Sequence, residues 1–222
     1  MSESAATADP SLDGLRLKLA PEIALSAVFD GWGDEALEAA ANAKGVDPAL
    51  ARLAFPGGAM DMIAAWVESV DAAMEAHFAD GSLDSMKIRD KIRALVWFRL
   101  ASINGMEEAF SRALAIQAMP QNAPRALQMG WSSADKMWRL AGDTATDYNH
   151  YTKRAILASI YAATLAVLVN DESENKAESA AFLDRRIEGV MKFEKAKAQL
   201  LGGDREHFDI ARFLGRLRHG YK

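Results

Sequence analysis

Residues 143 to 154 gather groups that could do chemistry: Asp143, Asp147, His150, Tyr151 and Arg154. Two carboxylates and an imidazole are the donor types of a divalent-metal or acid–base site. Asp147 lies four residues after Asp143, and His150 or Tyr151 three or four after Asp147. Arg154 follows Asp147 by seven, so the set would line one stripe of a helix. Three uses fit this pattern. The first is a plain helix start, with Gly142 ending one helix and Asp143 or Thr144 capping the next; acidic groups there meet the positive end of the helix dipole. The second is a metal or acid–base site of Asp143, Asp147 and His150. The third is a contact surface for a protein partner. A metal usually takes three or four ligands. No second helix offers a Glu-x-x-His set, and His77, His207 and His219 stand in unrelated contexts. The metal reading is therefore set aside and no cofactor is expected. Structure and interface both stay open.

The elements that would position these residues are helices. Few segments alternate with period two, most carry apolar residues at helical spacing, and alanine is abundant. The chain is read as all-α. It has 222 residues, half of them hydrophobic, which is enough for a sizeable core. It has no cysteine, so disulfides and thiolate metal sites are excluded. Ala155 to Val169 is the most apolar run, too short for a bilayer span, and reads as a buried core helix. Residues 1–15 read as a disordered tail. Met1 to Asp9 carries neither the apolar run of a secretory signal nor the arginines of a transit peptide. This points to a cytosolic bacterial protein or an already processed chain.

Residues 16–75 show a three-helix order. Ile23, Ala27, Val28 and Phe29 form an apolar face before Gly31-Trp32-Gly33. Leu37, Ala40 and Ala41 mark a short helix, then Gly45-Val46 a turn. Asp47 caps a helix with Pro48 at its first position, running through Leu50, Leu53 and Phe55 to Pro56-Gly57-Gly58. A longer helix carries Ile63, Trp66, Val67 and Val70. This order resembles the N-terminal unit of the TetR regulators, whose third helix enters the DNA major groove. Here that helix, Asp47 to Phe55, offers one cation, Arg52. From Pro10 to Met60 there are four basic residues (Arg16, Lys18, Lys44, Arg52) against seven acidic ones (Asp13, Glu22, Asp30, Asp34, Glu35, Glu38, Asp47). A face with that balance repels phosphates. The unit is read as a degenerate helix-turn-helix without nucleic-acid binding. A TetR-type ligand-responsive transcriptional regulator is the alternative reading.

Residues 76–201 read as a second, larger helical domain. Ile88, Ile92, Leu95, Val96, Phe98 and Leu100 fall at core spacing, with Lys87, Arg89, Lys91, Arg93 and Arg99 as a solvated face. Met119 to Pro124 is a turn. Within this region Trp138…Ala141-Gly142-Asp143…Thr146-Asp147-Tyr148-Asn149-His150-Tyr151-Thr152-Lys153-Arg154-Ala155 is long and specific. With Ile160-Tyr161, Asp171 and Phe182-Leu183-Asp184-Arg185-Arg186-Ile187, it closely resembles the ninth coenzyme Q biosynthesis protein family, over about residues 20 to 195.

The resemblance implies a TetR-like bundle that does not regulate DNA. It implies a homodimer that binds isoprenoid lipids or quinone intermediates in an apolar cavity. It also implies presentation of these lipids to the di-iron demethoxyubiquinone hydroxylase, without catalysis by the chain itself. Carried over, the partner-facing patch includes Met137, His150 and Tyr151, beside Asp143, Asp147 and Arg154. A Trp is common in the family where this chain has His150, a weaker interface anchor. Candidate cavity-lining residues are Trp97, Leu100, Met106, Leu114, Met129, Trp138, Ile160 and Leu165. No nucleophile–base pair, phosphate loop or ligand cluster stands out, so no enzyme is expected.

After Gly202-Gly203, residues 204–222 carry Ile210, Phe213, Leu214, Leu217 and Tyr221 at helical spacing. Arg212, Arg216, Arg218 and Lys222 fall on other faces. A basic amphipathic helix serves either as a membrane-surface element or as an ordinary helix docked on the core. The quinone substrate implied by the resemblance favours membrane contact. The expected location is cytoplasmic, peripheral to the inner membrane.

Overall fold

The protein is described here from a computed structural model covering residues 11–146 and 148–201. All regular structure among these residues is helical. The helices are α1 (Leu12–Asp30), α2 (Asp34–Ala43), α3 (Pro48–Ala54), α4 (Ala59–His77), α5 (Ile88–Ala101), α6 (Glu107–Gln117), α7 (Ala123–Leu140), α8 (Tyr148–Leu168) and α9 (Ala177–Leu201). A single 3₁₀ turn, Glu174–Lys176, precedes α9. The order is that of an all-α, TetR-like bundle. The described residues fall into two compact units, divided between Leu183 and Asp184. The first holds α1 to α8, and residues 184–201 of the second are helical. No helix among the described residues is long and apolar enough to cross a membrane.

Local chemistry sets the helix ends. The Ser11 hydroxyl accepts from Gly14 N at 3.1 Å, so α1 begins inside the stretch expected to be a tail. Asp47 accepts from Ala49 N at 2.8 Å, with Pro48 in the first turn of α3, as its sequence predicts. Gly57 is required at the α3–α4 turn: a Cβ there would stand 2.8 Å from the Asp61 carboxylate. That carboxylate takes Gly57 N at 2.6 Å and Arg125 of α7, also at 2.6 Å, tying the turn to the second half of the unit.

α1 packs mainly on α4 and α2, and α7 mainly on α8, with α4 between the two groups. Trp32 joins them: its indole donates to Ala109 O at 2.8 Å, and its ring lies 5.4 Å from Trp66. Trp66 in turn meets Phe110 edge-on at 6.3 Å. Several sequence expectations shift in phase. α3 buries Ala51 and Ala54 and leaves Leu50 and Leu53 exposed. Phe29, expected on the core face of α1, is 82% exposed. Arg52, the one cation of α3, is ion-paired with Glu38 of α2. α3 therefore presents two leucines and an arginine paired with Glu38.

Two expectations in the middle of the chain need larger corrections. Arg99 is not on a solvated face: it is 3% exposed and ion-paired with buried Asp71 of α4. α8 is not buried all round. Arg154, Leu157, Ile160, Thr164 and Leu168 form its one buried face. Ala155, Ser159, Ala162 and Ala166 face outward. Small residues make the run apolar by composition while giving little area that must be covered.

Candidate functional site

Asp143, Arg154 and His150 do come together, but not as one helical stripe. α7 closes at Gly142, whose φ of +91° favours glycine. Residues 143–146 are non-helical, and α8 begins only at Tyr148. The contacts of Asp143 among the described residues are ionic. Its carboxylate accepts from Lys153 Nζ at 2.6 Å and from Arg154 at 3.0 Å. Arg154, 2% exposed, also donates through Nε to Asp135 of α7 and through NH1 to His150 O at 3.1 Å. One buried guanidinium thus fastens α7, the connecting loop and the first turns of α8. The His150 ring lies 2.9 Å from Ala145 O, holding the loop from the other side. Asp147 lies outside the described residues.

This arrangement uses the carboxylates as counter-charges. Burial pushes the Asp135 carboxyl up, but hydrogen bonds and charge from Arg154 and Arg139 outweigh it and hold the group below its ordinary value. Asp143 behaves the same way, burial being overcome by Lys153 and Arg154. At Asp61, burial is overcome by Arg125 and by the Gly57 amide. A carboxyl depressed on folding contributes stability above its unfolded pKa of about 4, and that contribution is lost as pH falls through the folded value. The melting temperature should therefore fall steeply between about pH 5 and pH 3. A Tm that stays level over that interval would show that these ion pairs contribute nothing.

Around this knot lies an open cleft of about 350 Å³, walled by Arg139, Asp143, Thr144, Ala145, Thr146, His150, Tyr151 and Arg154. Tyr151 is 61% exposed and its ring stacks near Trp131 of α7, centroids 6.1 Å apart. It also meets His150 edge-on at 5.1 Å. Trp138 donates to Lys153 O at 3.0 Å and lies under its ammonium. Met137 departs from the expected patch. It is fully buried, on the inner face of α7 with Ala134, and offers no surface of its own.

A second feature lies in the same unit and opens to the surface beside Ala162 and Ala166 of α8. An apolar cavity of about 380 Å³ is walled by Ile63, Trp66, Val67, Phe110, Leu114, Ala126, Met129, Gly130, Tyr161 and Leu165, with Arg99, Gln117 and Ser133 among its polar members. That volume falls within the range of small-molecule sites, roughly 300–1,000 Å³. Of the expected lining residues, Leu114, Met129 and Leu165 are on this wall. Trp97 and Leu100 instead line a separate cavity of about 220 Å³ with Lys176. Met106, Trp138 and Ile160 line neither. The tail residues Ile210, Arg212, Phe213, Leu214, Arg216 and Leu217 lie outside the described residues.

Sequence reasoning missed Asp135 and Lys153 at the knot and Asp71, Arg99 and Ser133 beside the cavity. Among the described residues no group of three or more His, Asp or Glu side chains comes together to hold a metal.

Comparison with known proteins bears on this geometry. Residues 123–194, which include α7, the loop and α8, match the family model COQ9. The chain is 33% identical over 168 residues to the ubiquinone biosynthesis protein COQ9, mitochondrial, of Rattus norvegicus, covering 72% of this chain and 54% of that protein. It is 31% identical to the Homo sapiens protein of the same name, over 72% of this chain and 52% of that one. It is 22% identical over 173 residues to the probable ubiquinone biosynthesis protein coq9, mitochondrial, of Dictyostelium discoideum, covering 75% of this chain and 56% of that protein. The chain spans about half the length of the curated relatives it matches. These relatives are named as mitochondrial proteins. That overturns the expectation of a bacterial cytoplasmic protein peripheral to the inner membrane and points to mitochondria. The composition of residues 1–9 carries no weight against it.

Proposed function

The chain belongs to the COQ9 family, and we propose that it serves ubiquinone biosynthesis as a non-catalytic lipid carrier. In this reading it encloses an isoprenoid quinone intermediate and offers it to the di-iron demethoxyubiquinone hydroxylase. The observation that carries the reading is the mainly apolar cavity, with Trp66, Phe110, Leu114, Met129 and Leu165 among its lining residues. Aromatic and methionine side chains suit a flexible prenyl chain, since both offer large apolar area and methionine adapts its shape. The knot at Arg154 supports the second half of the proposal. It holds exposed Tyr151 and half-buried His150 on a rigid base, as a docking surface requires. Dimerisation and membrane contact through residues 204–222 belong to the same proposal.

The reading predicts that the full chain, purified without added lipid, carries an isoprenoid lipid that solvent extraction and mass spectrometry detect. An extract free of isoprenoids would count against it.

A further inference from the structure

The smaller cavity, of about 220 Å³, is lined from α5, the end of α8 and the turn that leads into α9. Its apolar wall includes Trp97 and Leu100 of α5 and Leu168 of α8. Its polar wall holds Asn104, just past α5, with Asn175 and Lys176 of the turn. Lys176 is the one charged residue among those that line it. An ammonium has three N–H donors. One of them meets Asp171 O at 2.8 Å. Glu107 stands off at 3.8 Å, beyond hydrogen-bond length, and is 41% exposed. The cation therefore keeps a free donor, and its side chain is 25% exposed, so a ligand can reach it. Among the described residues the Trp97 indole N–H and the side-chain amides of Asn104 and Asn175 make no hydrogen bond, and none of these groups is sealed from solvent. Asn175 and Lys176 come to this wall through successive left-handed residues, φ +53° and +56°, in the turn that Asp171 holds. Non-glycine residues kept in that conformation cluster at ligand sites.

We propose that this cavity is a second binding site and that it takes a small aromatic acid, a single ring carrying a carboxylate. The ring lies against Trp97, Leu100 and Leu168, and the carboxylate accepts from Lys176, with Asn104 and Asn175 beside it. Size limits the ligand: a cavity of roughly 150 Å³ admits benzene, so 220 Å³ matches one substituted ring. Charge sets its sign, because a cation on an otherwise neutral wall favours an anion, and a carboxylate takes a charge-assisted hydrogen bond from it. The indole and the two leucines favour a ring over a plain inorganic anion. The two cavities share no lining residue, so the inference stands apart from the lipid reading.

The full chain would be titrated with benzoate and with benzyl alcohol, its neutral counterpart, and binding followed by ligand-observed NMR. Wild type is expected to bind benzoate about tenfold more tightly than benzyl alcohol, the effect of one charge-assisted hydrogen bond. Lys176→Met keeps the apolar stem and loses the charge, and should abolish that preference. Ala101→Phe fills the cavity from an exposed position at the end of α5 and should remove binding of both probes. The isoprenoid content of the same samples, read by mass spectrometry, should not change in either variant, so this inference and the lipid reading fail separately. A wild type that binds no benzoate overturns the proposal. So does a preference for benzoate that survives Lys176→Met, or benzoate binding that survives Ala101→Phe, which would place the probe elsewhere. Isoprenoid lost together with benzoate would make the two cavities one site and overturn it as well. Should Lys176→Met disturb the turn and fail to fold, Ala101→Phe decides alone, since it leaves Lys176 and Asp171 in place.

Discussion

Arg154→Met should lower the stability of the folded chain by about 2–4 kcal/mol, because it removes one of the cations at each of two largely buried carboxylates and leaves their bonds to it unmade. Arg154 is 2% exposed, and the side chains of its partners Asp143 and Asp135 are 5% and 19% exposed. Methionine replaces the stem of the arginine and none of its donors. Lys153 still reaches Asp143, and Arg139 still reaches Asp135 at 2.7 Å, so the loss is one of two cations at each carboxylate. For a unit of this size the expected fall in Tm is roughly 10 °C. Adding Asp135→Asn and Asp143→Asn should recover part of it, since a buried amide costs less than a buried unpaired charge. A single variant that melts within about 2 °C of wild type, on the same scale, would mean that the knot is ornamental. The functional counterpart is loss of the Tyr151 surface, because the same guanidinium orders the loop beneath it.

Asp171→Ala is the second large effect. Asp171 is 3% exposed at the end of α8. Its carboxylate accepts from Ser173 N at 2.9 Å, Ser179 N at 2.7 Å and Ser179 Oγ at 2.6 Å, and also from the Ser173 hydroxyl. Burial raises its pKa, but these hydrogen bonds from Ser173 and Ser179 dominate and hold the carboxyl far below its ordinary value. One side chain therefore organises the turn that carries Asn175 and Lys176, both at positive φ, into α9. Left-handed conformations at two successive non-glycine residues are costly unless the surroundings impose them. Alanine removes every one of these bonds and leaves the buried Ser179 N–H and hydroxyl without that acceptor. A loss of about 3 kcal/mol is expected, near 8 °C in Tm. Asp171→Asn, which keeps an acceptor oxygen, should lose about half as much. Equal losses in the two variants would mean that charge, not hydrogen bonding, sets the turn.

The sequence was most legible where punctuation is strong. Asp47-Pro48, Gly45 and Gly142 mark real helix ends, and the TetR-like order follows from them. The phase of charged residues was less well read. Arg99 follows Ile92 by seven and Leu95 by four, so it lies on the buried stripe of α5. Asp71 follows Ile63 by eight and Val67 by four on α4, in the same way. Two opposite charges on two apolar stripes are the trace of a buried ion pair, and residue type alone assigns both to solvent. Met137 illustrates the reverse. Position in a motif placed it on a surface, whereas its spacing from Ala134 and Ala141 puts it in the core. Asp135 left no signal, since its role depends on where the loop after Gly142 carries Asp143. The cavity was legible only in part. A void is a property of packing, and Leu114, Met129 and Leu165 reach it from three different helices.

The central claim, that this cavity holds the lipid, is tested most directly at Gly130. Gly130 lies within α7 on the cavity wall, and a Cβ there would meet no heavy atom within 4 Å. Gly130→Leu therefore adds a side chain where there is room for one and improves helix propensity by roughly 0.5–1 kcal/mol. Lipid would be extracted from wild type and variant prepared in parallel and compared by mass spectrometry, with Tm measured on the same samples. The account predicts several-fold less isoprenoid in the variant at an equal or higher Tm. The same isoprenoid content in both proteins would contradict it.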